Sequence, residues 1–174
     1  MRFIFLIFLF INLINCGSKS KFFPVKSETD KEAGADLVIR NFSAQGYQVK
    51  TPQWDIYATE AYLIYSKNII NIYQVVLNLY QTDSSVYLTA SKGTLFQKEN
   101  KLEITGNVIV INSDGKKLET ESLTWYEKEK RLVSNKPVKI TFPEGDVLSG
   151  SGLRADTKLN KITLLNGKLN HSSK

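Results

Sequence analysis

The sequence predicts an almost entirely antiparallel β fold built of about four stacked hairpins, and three observations carry that expectation. The first is a repeat. Residues 88–115, LTASKGTLFQKENKLEITGNVIVINSDG, shifted by 30, fall on residues 118–145, with Leu88 on Leu118, Leu95 on Trp125, Leu102 on Leu132 and Val108 on Val138. A further 30 puts Leu118 on Leu148, Leu123 on Leu153 and Leu132 on Ile162. A shift back of 32 puts Ala90 on Ala58, Gly93 on Ala61, Leu102 on Ile70, Ile104 on Ile72 and Val108 on Val76. A period of this size marks a repeat architecture whose units bury their apolar faces against one another. The second is the period inside each unit, which is 2: Leu102, Ile104, Val108 and Val110 alternate with Glu103, Thr105 and Asn107, as in a half-buried strand. The third is that no part of the body carries a sustained helical stripe.

Residues 1–16 hold one basic residue, Arg2, followed by a short apolar run that ends at Cys16. The run suits a signal-peptide core and falls short of the roughly 20 residues that a spanning helix needs. Cys16, the only cysteine, stands where a bacterial lipoprotein keeps its lipid-modified residue. Leu13 fits that pattern, whereas Asn15 stands where Gly, Ala or Ser is usual. Cys16 is therefore the expected lipid-attachment residue; an uncleaved membrane anchor and an ordinary signal peptide are the alternatives. In each case the body is expected outside the cytoplasm, and one thiol gives it no internal disulfide.

Residues 17–35 are polar and aperiodic and read as a flexible tether. The domain is expected over 36–170, opening with a short strand, a turn at Gly46 and an edge-like segment before the first repeat at Trp54. Ser66–Asn68, Lys98–Asn100, Glu127–Lys130 and Thr157–Asn160 divide the two strands of each copy, and Asp83–Ser85, Ser113–Gly115 and Pro143–Asp146 join successive copies. In the first strand of every copy the apolar parity slips by one, as in Leu88 and Ala90 followed by Gly93 and Leu95. A slip would turn the strand inside out unless a bulge absorbs it, so a bulge or corner is expected near Glu60, Ser91, Glu121 and Ser151. Residues 171–174 read as a frayed end.

Catalytic readings fail by inventory. The single histidine, His171, sits three residues from the C-terminus, a poor place for a general base. One cysteine and one histidine cannot assemble a usual zinc set, and no Gly-rich phosphate loop precedes a helix. The acid pairs Glu119 and Glu121, Glu127 and Glu129, and Glu144 and Asp146 read as outer-face or turn positions rather than a glycosidase pair. Two Trp, eight Tyr and nine Phe are scattered over many strands, which disfavours nucleic-acid binding. The formal charge of +6, lowered by one if the first 15 residues are removed, fits plain solubility as well as an anionic partner. Neither enzyme nor cofactor is expected. A stack of hairpins with an apolar lining, held at a membrane, suits the holding of something long and apolar, and its unpaired edges suit extension by another β-protein.

The series Trp54-x-Ile56-x-Ala58-x-x-Ala61, Leu88-x-Ala90-x-x-Gly93, Leu102-x-Ile104-x-Gly106-x-Val108 and Asp114-Gly115-x-x-Leu118-x-Thr120-x-x-Leu123, continued by Pro137-Val138-x-Ile140 and Gly150-x-Gly152-Leu153, resembles LptC. That family is the periplasmic, membrane-anchored component of lipopolysaccharide export, and LptA shares its fold. The resemblance covers roughly residues 42–165. It implies a twisted, boat-shaped β-jellyroll with a hydrophobic groove. Lipid A acyl chains would enter the groove from the inner-membrane ABC transporter and pass to LptA through edge-to-edge pairing, with no reaction in this subunit. It also implies the periplasmic face of the inner membrane, where the family keeps an uncleaved transmembrane helix and this chain is expected to be anchored by lipidated Cys16 or by an uncleaved N-terminal segment. Parity assigns the groove lining to Leu88, Ala90, Leu95, Leu102, Ile104, Val108, Val110, Leu118, Leu123, Trp125, Leu132, Val138, Ile140, Leu148 and Leu153. The competing expectation is a structural or adhesive surface lipoprotein with a closed β core.

Overall fold

A computed structural model describes residues 34–81 and 83–171. The expected signal peptide, Cys16, nearly all of the tether and residues 172–174 lie outside them. Nine strands follow in order: β1 (Leu37–Gln48), β2 (Thr51–Ile64), β3 (Ile69–Gln81), β4 (Ser84–Phe96), β5 (Lys101–Asn112), β6 (Lys117–Tyr126), β7 (Arg131–Thr141), β8 (Val147–Asp156) and β9 (Ile162–Asn170). They form one antiparallel sheet in sequence order, an uninterrupted meander with β1 and β9 as its edges. Hairpins β2–β3 to β8–β9 are the four copies, and β1 is the extra strand in front. Among the described residues the exception to strand and turn is one 3₁₀ turn, Tyr65–Lys67, capped by left-handed Asn68. Among the described residues no helix is long and apolar enough to cross a membrane.

The first turn is not at Gly46. β1 runs through that residue, and the chain reverses at Val49 and Lys50, where Val49 takes a left-handed φ of 60°. Gly46 sits inside the strand because it faces Trp54 across the ladder, and a Cβ there would overlap the indole ring. The glycine marks a close approach rather than a turn.

The parity slip is a crease running across the sheet. Ala58 and Ala61, Ala90 and Gly93, Thr120 and Leu123 all face the buried side, so each strand changes phase near its middle. The surplus residue, however, lies on the neighbouring strands. Between β4 and β5 the register shifts past Ser91 because Gly106, Asn107 and Val108 oppose two residues of β4. Gly106 and Asn107 likewise face Glu121 of β6, and Asn135 and Lys136 of β7 face Gly152 of β8. Gly106 has φ 80°, and a Cβ on it would stand 2.8 Å from Ser91 Cβ, so the bulge uses a glycine for both reasons. Ser151 is flanked by shifts towards β9 on both sides. At Glu60 the register is unbroken, and left-handed Asn41 and Gln74 on the flanking strands make the corner without an added residue. One consequence corrects the repeat alignment. Because β3 lacks the surplus residue of β5, the inward partner of Val108 is Val75, fully buried, and Val76 points outward.

The crease divides the sheet into two half-sheets that fold over each other. The first ends in the loops at 49–50, 113–116 and 142–146, and the second in those at 65–68, 97–100, 127–130 and 157–161. Their lips meet. Trp54 of the first stacks edge-on against Trp125 of the second with centroids 6.3 Å apart, and its Nε1 donates to Glu127 Oε1 at 2.7 Å. Gln81 bonds Thr157, and Asn112 Nδ2 donates to the Lys158 carbonyl at 2.8 Å. Leu159, left-handed and fully buried, plugs the same junction. The core is the space between the half-sheets.

Candidate functional site

The repeat turns into tracks across the sheet. Ile56 pairs with Leu77, Leu77 with Leu88, Leu88 with Val110, Val110 with Leu118, Leu118 with Ile140, Ile140 with Leu148 and Leu148 with Leu169, one residue from each strand from β2 to β9. At about 4.8 Å per strand this track is roughly 34 Å long. A second track on the other half-sheet runs Leu95, Leu102, Trp125, Leu132 and Ala155. Ala90, Val108, Thr120 and Val138 line the fold between them. Thr120 is buried among these apolar groups because its hydroxyl donates to the Pro137 carbonyl at 2.9 Å.

Thirteen of the groove positions assigned by parity are buried here: Leu88, Ala90, Leu102, Ile104, Val108, Val110, Leu118, Leu123, Trp125, Leu132, Val138, Ile140 and Leu153. Leu95 and Leu148 are half-buried against the same core. Along the middle of the interior the described residues pack against one another. Where Trp54, Ile56, Leu95, Leu102 and Trp125 meet beneath the lips, a cavity of only about 20 Å³ remains. The Trp125 Nε1 hydrogen is buried there without an acceptor among the described residues, which costs about 1–3 kcal/mol. Towards β9 the packing thins, and Leu165 and Leu169 are exposed.

The acid pairs are occupied singly. Glu119 bonds Lys117 at 2.8 Å, which holds its carboxyl below the usual carboxylate range. Glu127 holds Trp54, and Asp146 of the β7–β8 loop meets His171 Nδ1 at 2.8 Å. Among the described residues no group of three or more metal-binding side chains stands together.

A family model described as "Lipopolysaccharide-assembly, LptC-related" matches residues 3–168. The chain belongs to this family. Among curated proteins none matches it. Of solved structures, it is similar to LptH, the LptA-homologous periplasmic component of the lipopolysaccharide transport device of Pseudomonas aeruginosa, with 15% identity and a TM-score of 0.55. That likeness covers 69% of this chain and 95% of LptH and shows the shared β-jellyroll fold. The LptC family serves lipopolysaccharide transport and is not enzymatic.

In this LptC-family chain, sequence reasoning missed the lips and one outer-face cluster. Asp55, only 7% exposed, lies on the outer face of β2, where its carboxylate accepts from Asn78 Nδ2 at 2.6 Å and from the Tyr80 hydroxyl at 2.5 Å. The hydrogen bond to Asp55, with burial and the Asp55 charge, pushes the Tyr80 phenol from 10 up to about 12. A raised phenol contributes stability that is complete below pH 10 and is lost as pH rises through 10 to 12. Replacing Tyr80 by Phe leaves a buried carboxylate with one partner fewer. The expected cost is about 1–3 kcal/mol in urea unfolding at pH 7. The variant should also lack the share of alkaline destabilisation expected from Tyr80 in the parent, and an identical alkaline flank in both would refute the assignment.

Proposed function

We propose that this chain is a non-catalytic carrier: it takes lipopolysaccharide from the inner-membrane ABC transporter between its two half-sheets and passes it to an LptA-like partner. The observation that carries the reading is the pair of apolar tracks running from strand to strand towards both open edges. Acyl chains laid along them would bury methylenes at about 0.8 kcal/mol each, so similar tracks in the partner allow transfer without trapping. The tracks are closed as packed, and loading requires the lips to part. The unpaired Trp125 Nε1 is a donor waiting inside for an ester or amide carbonyl of such a lipid. β9, exposed and broken by left-handed Asn166, is the edge offered for strand addition. The membrane attachment is assigned to residues 1–16, through lipidated Cys16 or as a retained segment; the family match begins at residue 3 and runs through it.

The closed interior is what the structural or adhesive alternative expected. Membership of a lipopolysaccharide-transport family favours reading it as the unloaded state of a carrier. Photo-crosslinking in living cells tests this, with the reactive residue at Leu95 and Leu148, where the interior is half-open, and at outward Thr105 as control. Lipopolysaccharide adducts from the first two and none from the third are the expected result. A folded, membrane-located protein giving no adduct at Leu95 or Leu148 would return weight to the closed scaffold.

A further inference from the structure

We propose that a pocket in the seam between the lips binds the phosphate-bearing headgroup of the carried glycolipid. This rests on the carrier reading and adds to it where the polar end sits. The pocket, about 690 Å³, lies where the lips do not close fully. Gln48, Gln53, Tyr80 and Gln81 line it from the first half-sheet, and Lys130 and Lys158 from the second. No carboxylate is among its lining residues.

The two lysines are placed by the fold rather than left on loose loops. Lys130 closes the β6–β7 turn with a left-handed φ of 48°, and its carbonyl accepts the Thr157 N–H at 3.1 Å, which ties its turn to the next. Lys158 stands between buried Thr157 and fully buried Leu159, with its own carbonyl held by Asn112. Neither ammonium has a carboxylate partner among the described residues. Glu127 is engaged by Trp54, Asp55 by Asn78 and Tyr80, and Asp156 by the backbone N–H groups of Asn160 and Lys161. Two ammonium groups without a carboxylate partner share this lining with Gln48, Gln53 and Gln81, of which Gln53 already donates to the Thr51 and Pro52 carbonyls and Gln81 to Thr157, so the lysines are the donors that a phosphate dianion would reward. The position also fits the lipid's geometry. The pocket's lining holds none of the track residues and includes outer-face Tyr80, so the phosphate would rest outside the lips while the chains lie along the tracks within.

The test uses the full chain in detergent micelles, with bisphosphorylated lipid A and its dephosphorylated form as probes. The parent protein should bind the phosphorylated form about tenfold more tightly, as charge-assisted contacts to one headgroup allow. The double variant Lys130→Gln, Lys158→Gln should lose that ratio while keeping its affinity for the dephosphorylated form. Lys67→Gln with Lys98→Gln, an equal loss of charge on other turns of the same half-sheet, should keep it. A ratio retained in the first pair, or lost equally in both pairs, overturns the site. So does a first pair that weakens binding to phosphatidylglycerol vesicles while leaving the lipid A ratio unchanged, because the lysines would then serve the membrane surface. Phosphate-independent binding by the parent sinks the headgroup site alone, whereas no binding of either form by folded protein sinks the carrier reading with it.

Discussion

Ile104→Arg is expected to abolish the folded domain. Ile104 has no exposed surface and sits at the crossing of both half-sheets, paired with Gly93 on β4 and Leu123 on β6. Space is already exhausted around it. A Cβ added at Gly93 would lie 3.0 Å from Ile72 Cγ1, so the one small neighbour is filled by the adjoining side chain. A guanidinium there would have no acceptor and no path to water, and an uncompensated buried charge costs several kcal/mol. Domains of this size are stable by about 5–15 kcal/mol in total. Thermal and urea unfolding followed by circular dichroism should show no cooperative transition in the variant, whereas Ile104→Val, which removes one methyl, should lose about 0.5–1.5 kcal/mol. A cooperative Ile104→Arg variant near parental stability would mean that this position already stands in a water-filled groove.

How much of this was legible depends on whether a feature belongs to one strand or to a relation between strands. Strand number, turn positions and buried faces are properties of the local pattern, and a 30-residue period with internal alternation carries them. The crease was visible as a parity slip, because parity records which face a side chain occupies. Which strand holds the extra residue was not visible, since a bulge exists only relative to a partner. Gly106–Asn107 therefore went unrecognised while its opposite numbers Ser91 and Glu121 were marked, and Val76 was set on the wrong face. Gly46 is the same lesson in a single residue: as a letter it signals a turn, and in the ladder it makes room for the Trp54 ring. The lips lay furthest from reach, because Trp54 and Glu127 are 73 residues apart and Gln81 and Thr157 are 76 apart. One signal did exist. Leu159, an apolar residue inside the turn Thr157–Asn160, has no purpose in a solvated loop, and it is buried because that turn closes the seam.

Locking the lips together should stop lipid from entering, and this is the second large effect expected. The seam closes through Trp54 on Glu127, Gln81 on Thr157, Asn112 on the Lys158 carbonyl and Lys116 on the Leu159 carbonyl, side-chain contacts with no backbone ladder across the opening. A few such contacts, each contributing about 0.5–1.5 kcal/mol, can open without unfolding the strands behind them. Cysteines replacing Gln81 and Thr157, joined by a reducible bis-methanethiosulfonate reagent, would hold the half-sheets at their resting separation. Lipid A loading of the full chain should then fall at least tenfold and return when a reductant is added. Each single-cysteine variant, treated with the same reagent and carrying Cys16 as the parent does, should load normally. Loading at the parental rate in the locked protein would require the chains to thread in from the ends at β1 or β9. The tracks would then work as a tunnel filled end-on, and the packed interior would have to open strand by strand from its edges rather than along its seam.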